Sequence, residues 1–187
     1  MSLHTEIYTD DTSFLRAISA LEEEMGPKNL LKKHYDLDGE AASNRIYRWY
    51  DGGVFVGYAV ASDFPNGLQD DNGDEYTGTK WWLRSFVIFK DFQGRHHGQT
   101  FLSAIRNDIR DNIYLETLVK SAGFYIKCGA WSLVYLVWIH EGKSPMVLAH
   151  RPIASQKDFD TLLEGTCFEG RSDGYDTTLH YFDSCDE

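Results

Sequence analysis

The sequence predicts a mixed α/β domain with a mostly antiparallel central sheet. Two pairs of apolar runs separated by short turns predict hairpins, which supply the antiparallel part. Between them lie a strand-like run, a helical pattern and another strand-like run, the order of a central parallel strand–helix–strand unit. We expect helices on both faces of this sheet. With 187 residues, 42% of them hydrophobic, the chain is long enough to bury one sizeable core.

The first elements are two helices and a hairpin. Apolar residues from Phe14 to Leu21 recur at helical spacing, with Thr12 or Ser13 as the expected N-cap and Gly26 at the end. A second short helix is predicted over residues 30–35. The runs "NRIYRWY" and "VFVGYAVAS", joined by "DGG", predict a hairpin, and the acidic stretch "DFPNGLQDDNGDEYTGT" predicts a long loop.

The middle of the chain carries the parallel unit. "KWWLRSFVIF" is rich in aromatic and β-branched residues and predicts a central strand. "QTFLSAIRNDI" has helical spacing, "NIYLETLV" predicts the next strand, and "SAGFYIKCGA" predicts a short helix ending at Gly129. "WSLVYLVWIH", "EGKS" and "PMVLAH" predict a final hairpin. Beyond it, "SQKDFDTLLEG" predicts a helix capped by Ser155, and "YDTTLHYFD" predicts an added strand.

Composition narrows the classes of function. With 18 Lys and Arg against 29 Asp and Glu, the formal charge is −11, which argues against nucleic-acid binding and favours a cationic substrate. Three cysteines without a CxxC pair, and a start without a signal-peptide pattern, predict a cytoplasmic protein. The most apolar run is too short for a membrane span. No regular His, Cys or carboxylate spacing predicts a metal site.

The stretch "FKDFQGRHHGQTF" has the strongest chemical signal. It joins a strand to a helix through a turn containing Gly94 and Gly98. Unpaired N–H groups at the start of a helix, together with the helix dipole, favour an anion such as phosphate. Glycines allow close approach of the backbone, and Arg95 adds positive charge. The pattern differs from the Rossmann and Walker phosphate motifs.

Two motifs together resemble the GNAT superfamily of N-acyltransferases, which use acetyl-coenzyme A. "FVIFKDFQGRHHG" is similar to that family's strand followed by [Gln/Arg]-x-x-Gly-x-[Gly/Ala], with Gln93 first and Gly98 last. "AGFYIKCGA" is similar to a second family segment through Tyr125, Lys127 and Gly129. The resemblance covers residues 1–150 as a GNAT-like domain. Residues 151–187 are then an extension that packs on the domain or on a partner.

The resemblance implies a role for each matching position. The Phe86 amide would stabilise charge on the thioester carbonyl, and Tyr125 would protonate the departing thiolate as general acid. The strand containing Ile88 would separate from the next strand and bind the pantetheine arm through its backbone. The implied coenzyme-binding residues are Phe86, Val87, Ile88, Gln93, Gly94, Arg95, His96, Gly98 and Gln99.

Two positions depart from the family pattern. His96 stands where the family prefers glycine, and a positive φ there would strain any other residue. Trp82 stands where several relatives carry a glutamate. Three possibilities therefore stay open for the general base: the amine arrives neutral, water relays its proton, or a side chain accepts the proton. The candidate side chains are Glu116, Asp63, Asp91 and His97, the last expected to be an exposed polar residue.

The reading that follows is an N-acetyltransferase whose acceptor amine attacks acetyl-coenzyme A directly. A primary amine on a small molecule is the first expectation, and a peptide N-terminus or lysine the second. The rival is a non-catalytic protein of the same fold that binds or senses an acyl-coenzyme A. A structural domain without coenzyme is the third alternative. A homodimer is left open, because the strand-like "TTLHYF" could pair with a sheet edge of its own chain or a partner.

Overall fold

A computed structural model describes residues 1–25, 41–67, 79–132, 143–151 and 155–164. Within these ranges the chain forms a seven-stranded sheet and four α-helices. The strands are β1 (Ser2–Tyr8), β2 (Ser43–Asp51), β3 (Val54–Asp63), β4 (Trp81–Ile88), β5 (Ile113–Leu118), β6 (Ala130–Ser132) and β7 (Lys143–Leu148). The helices are α1 (Asp11–Met25), α2 (His97–Ile109), α3 (Val119–Lys127) and α4 (Gln156–Leu163), with a 3-10 turn at Lys90–Phe92.

The order of strands confirms the predicted fold class. The sheet runs β1-β2-β3-β4-β5-β7-β6. β4 and β5 are parallel and α2 connects them, whereas every other neighbouring pair is antiparallel. β4 is therefore the central strand, and the β4–α2–β5 unit is the predicted crossover.

Helices cover both faces of the sheet. α1 buries Phe14 and Ile18 in a cluster that includes Val60 of β3. α2 buries Phe101 on the other face, where Trp49 of β2 stacks on it at 5.3 Å between ring centroids. Because side chains alternate along a strand, neighbouring residues of β2 and β3 serve the two clusters in turn.

Two features of the N-terminal part differ from the prediction. β1 was not predicted, although Leu3, Thr5 and Ile7 alternate with His4 and Glu6 in "SLHTEIY"; it is the edge strand and pairs with β2. The cap of α1 was placed wrongly, since Asp10 rather than Thr12 or Ser13 caps it. The Asp10 carboxylate accepts a hydrogen bond from the Ser13 amide at 2.8 Å, which satisfies a free N–H of the first turn.

The other predicted elements fall into two groups. The β2–β3 hairpin turns at Gly52 and Gly53, both at positive φ, and Ser155 caps α4 through its hydroxyl, as expected. The predicted helix at residues 30–35, most of the acidic loop, the middle of the final hairpin and the strand in "YDTTLHYFD" lie outside the described residues. No described helix is long and apolar enough to cross a membrane.

The C-terminal half of α2 is anchored to β2. Asp108 accepts hydrogen bonds from the Arg45 guanidinium at 2.7 Å and from the Tyr47 hydroxyl at 2.9 Å. Arg45 also lies over the Trp81 ring at 4.5 Å. Tyr47 is fully buried, so this network fixes the helix against the sheet at the end remote from the glycine-containing turn.

Candidate functional site

β4 and β5 separate in the middle of the sheet. Their pairing ends at Leu83 and Leu115, after which β5 continues beside β7 alone and β4 beside β3 alone. We call the gap between residues 84–88 and residues 116–118 the fork. It interrupts an otherwise continuous sheet, so the backbone of β4 has a free edge there.

A β-bulge precedes this free edge. Ser85 pairs with Val60 and Leu83 with Ala61, so Arg84 is the extra residue of the bulge. Further along, the Phe89 amide donates to the Val56 carbonyl at 3.0 Å. Because backbone groups alternate in direction along a strand, those of Val87 also face β3, and those of Phe86 and Ile88 face the fork.

Gly57 allows β3 to approach β4 closely beside the fork. A Cβ atom at this position would lie 2.4 Å from the Val87 carbonyl oxygen and 3.2 Å from the Ile88 Cα. Neither backbone atom can move without shifting the strand, so the position requires glycine.

The start of α2 faces the fork from the glycine-containing turn. Gly94 has φ 75°, and His96, the N-cap residue, has φ 61° and makes no side-chain cap bond to the first turn. The His96 imidazole instead contacts the Gln99 side chain, with Nδ1 3.3 Å from Oε1. Gly98 leaves room for the Phe124 ring, whose carbons would lie 3.0 Å from an added Cβ.

A cavity of about 550 Å³ lies between the fork, the first turn of α2 and α3. It is lined by Phe86, Ile88, Phe92, Gln93, Gly94, His96, His97, Gly98, Gln99, Lys120, Ser121, Phe124 and Tyr125. The structure thus brings residues of both sequence motifs to one place, eight from the first motif and two, Phe124 and Tyr125, from the second.

Two of the expected coenzyme-binding residues do not line this cavity. Val87 packs its side chain into the cluster beneath α1, on the opposite face of the sheet. The Arg95 guanidinium lies over the Phe92 ring at 6.0 Å from its centroid, and Arg95 is absent from the cavity wall.

Tyr125 sits in the wall of the cavity against the strand that borders the fork. Its ring meets that of Phe86 edge-on at 6.3 Å between centroids. Burial, with a smaller effect of Cys128, raises the pKa of Tyr125 to about 12, against a lowering by its hydrogen bond with Thr117. The hydroxyl therefore stays protonated at neutral pH, as a general acid requires.

The Gln93 side chain reaches the free edge of β4. Its amide nitrogen donates to the Ile88 carbonyl at 2.9 Å, one of the groups that face the fork. A ligand that uses this carbonyl must replace the Gln93 amide.

His97 is buried, whereas the sequence predicted an exposed residue. Only 3% of it is exposed, and its ring packs edge-on against Phe92. Nε2 lies 3.7 Å from the Asp51 carboxylate, and Nδ1 has no hydrogen-bond partner among the described residues. The prediction failed because the sequence does not show that the ring packs on Phe92 and approaches Asp51 at the end of β2.

The three carboxylate candidates occupy different places. Asp63 pairs with Trp81 at the beginning of β4, about 16 Å from Phe86 at roughly 3.3 Å per residue. Asp91 is exposed in the 3-10 turn and does not line the cavity. Glu116 is the first residue of β5 beyond the last pair with β4, and it accepts a hydrogen bond from Tyr114 at 3.0 Å.

Glu116 projects on the face of the sheet opposite to the cavity. Its neighbours Leu115 and Thr117 serve the α2 face, where Leu115 joins the core and Thr117 bonds Tyr125. Alternation therefore places Glu116 with Tyr114, whose ring lies 6.0 Å from that of Trp82.

Sequence reasoning missed several cavity residues, notably Phe92, Lys120, Ser121 and Phe124. Phe124 lies within the quoted motif and Lys120 immediately precedes the segment that contains it. A helical wheel of α3 places Lys120 and Phe124 on one stripe, which was the available signal. The direction of that stripe depends on how α3 packs, and the sequence does not give this.

The fold and the fork define a class of protein, and the sequence assigns the chain to it. The model of the Acetyltransferase (GNAT) family matches residues 6–130, more than half of the chain. The chain therefore belongs to the GNAT acetyltransferase family, which confirms the resemblance seen in its motifs. It is an acyltransferase, and acetyl-coenzyme A is its cosubstrate.

Solved structures of similar fold have low sequence identity. Tetrahymena GCN5 is 11% identical with a TM-score of 0.50, covering 81% of this chain and 98% of its own. Escherichia coli ElaA is 16% identical (TM-score 0.48; coverage 78% and 99%). The aminoglycoside 6'-N-acetyltransferase from Enterococcus faecium is 15% identical (TM-score 0.48; coverage 83% and 100%). No curated protein matches the sequence significantly.

Proposed function

We propose that this acetyltransferase acts on a primary amine of a small molecule, which attacks the thioester directly. The observation that carries the proposal is the fork. Beside it, the backbone groups of Phe86 and Ile88, the first turn of α2 and the Tyr125 side chain border one cavity. A thioester lying along β4 would have its carbonyl beside an amide donor and its sulfur beside an acid.

The proposed coenzyme contacts follow from this arrangement. The N-terminal turn of α2, from Gly94 to Gln99, binds phosphate through its amides, and Ile88 binds the pantetheine arm. For the arm to reach the Ile88 carbonyl, the Gln93 amide leaves it. Val87 contributes by holding β4 against β3, and Arg95 through its amide.

Among the candidate bases, the position of Glu116 is the most suitable. It stands at the fork on the face opposite to the cavity, from which an acceptor would approach the thioester in this proposal. Asp63 lies too far along the sheet. The formal charge of −11 favours a cationic acceptor, and Glu116 would take the proton that the ammonium must lose.

The transfer then balances in protons and bonds. As the amine nitrogen bonds to the carbonyl carbon, the Phe86 amide donates to the carbonyl oxygen, where negative charge develops. Glu116, after passing the ammonium proton to solvent, accepts the second proton from the nitrogen as it bonds to carbon. Tyr125 donates its proton to the sulfur as the carbon–sulfur bond breaks, giving an amide and free coenzyme A.

The test is release of free thiol from acetyl-coenzyme A across a panel of diamines, amino sugars, amino acids and short peptides. With the best amine, Glu116→Gln and Tyr125→Phe should each lower kcat by about a hundredfold, in the range of general acid–base catalysis. Affinity for coenzyme A should change less than threefold.

Asp63→Asn and Asp91→Asn are the matched controls and should keep nearly full turnover. Equal losses of turnover in all four variants would contradict a catalytic role that is specific to Glu116. Release of thiol only with peptides would refute the small-molecule acceptor, and no release with any amine would refute amine transfer.

A further inference from the structure

Lys120 is the one lysine or arginine that lines the cavity in the described part of the chain. It is exposed on the first turn of α3, on the wall facing the start of α2. The positive charge expected from Arg95 is not in this wall. Coenzyme A carries several phosphate charges, and a chain with a formal charge of −11 repels them unless a local cation offsets the field.

Packing between the helices places Lys120 near the anion-binding turn. Phe124 packs directly against Gly98 in the first turn of α2. Lys120 precedes Phe124 by four residues, so it lies one helical turn away on the same stripe, about 6 Å between Cβ atoms. The flexible four-carbon side chain of lysine spans this distance.

Lys120 is also far enough from the proposed reacting end. Tyr125 follows it by five residues, about 7.5 Å along the helix axis at 1.5 Å per residue. The charge of Lys120 therefore lies beside a part of the bound coenzyme other than the thioester.

We propose that Lys120 binds a phosphate group of the coenzyme and forms, with the first turn of α2, a two-sided anion site. This inference rests on the proposed function, because it assumes that the coenzyme phosphates lie in front of α2. It assigns the cationic contact to α3 rather than to the glycine-containing turn.

The experiment compares Lys120→Gln with Lys127→Gln by calorimetric titration. Lys127 lies on the same helix, is also exposed and does not line the cavity, so it controls for loss of one surface charge. The ligands are coenzyme A and pantetheine, which lacks all phosphates. Circular dichroism checks that each variant folds.

Lys120→Gln should weaken coenzyme A binding about three- to tenfold, as expected for a partly solvated charge pair. Pantetheine binding should change less than twofold. In 1 M salt, where the Debye length is about 3 Å, the difference from the unaltered chain should shrink. Lys127→Gln should match the unaltered chain throughout.

Three results would overturn the inference. Equal affinity of Lys120→Gln and the unaltered chain for coenzyme A removes the contact. An equal loss for pantetheine places Lys120 on the arm instead of a phosphate. If the unaltered chain binds no coenzyme A, the proposed function fails together with this inference. In the first two results the unaltered chain still binds coenzyme A, so only the inference about Lys120 fails.

Discussion

The left-handed backbone at His96 makes a sharp prediction about side-chain size. His96 has φ 61°, a region in which a Cβ atom meets the following carbonyl oxygen. Replacing it with glycine removes that crowding, whereas replacing it with alanine retains it. The two variants lose the same imidazole contact with Gln99, so their difference isolates the backbone conformation.

The size of the difference follows from two opposing terms. A left-handed residue other than glycine costs roughly 1–2 kcal/mol. Glycine in turn costs roughly 0.5–1 kcal/mol through the greater freedom of the unfolded chain. His96→Gly should therefore be more stable than His96→Ala by about 1 kcal/mol, or about 2–4 °C in Tm for a chain of this length.

Urea denaturation measures the difference, and two further positions test its cause. Arg110, at φ 57° after α2, should also prefer glycine to alanine. At Thr100, which is exposed within α2, the alanine variant should instead be more stable than the glycine variant by about 1 kcal/mol. If His96→Ala proves the more stable variant, the strain argument is refuted. Coenzyme affinity of His96→Gly should stay within threefold of the unaltered chain, since the amide remains.

Two other predictions concern stability. Gly57→Ala should destabilise the protein by about 1–3 kcal/mol in urea denaturation, because its Cβ would lie 2.4 Å from the Val87 carbonyl oxygen. Gly123→Ala, in α3 with open space around it, should be neutral or stabilising, and equal effects would contradict this account. Tyr125 has a pKa of about 12 in the folded state against 10.0 ordinarily. The contribution of this hydroxyl to the free energy of unfolding is thus complete below pH 10. It falls by up to about 3 kcal/mol as the pH rises through 12. Tyr125→Phe should flatten that decline in alkaline denaturation, and an unchanged slope would refute the assignment.

Local patterns were sufficient for most of the fold. The β2–β3 hairpin was predicted because alternating apolar residues and the "DGG" turn specify it without distant contacts. The β4–α2–β5 unit follows from a strand, a glycine-containing turn and a helical stripe in close succession. β1 was missed although Leu3, Thr5 and Ile7 alternate with His4 and Glu6, because only two of these three are aliphatic and no side chain of this edge strand is fully buried.

The site was less predictable because its geometry depends on contacts between distant segments. His97 is buried, with its ring against Phe92 and 3.7 Å from Asp51 at the end of the distant strand β2. Lys120 lines the cavity because Phe124 packs on Gly98. The motifs identified the turn and the tyrosine through family resemblance, but residues recruited by helix packing had no motif to mark them.

The fork gives the two faces of the sheet different side chains. Once β4 leaves β5, alternation along the strands decides which side chains lie on each face. Phe86, Thr117 and Tyr125 serve the cavity face, whereas Tyr114 and Glu116 serve the other. The Phe86 amide lies in the plane of the sheet, between these two faces. Under the proposed mechanism, coenzyme and amine would meet at the Phe86 amide, with Tyr125 as the acid on one face of the sheet and Glu116 as the base on the other.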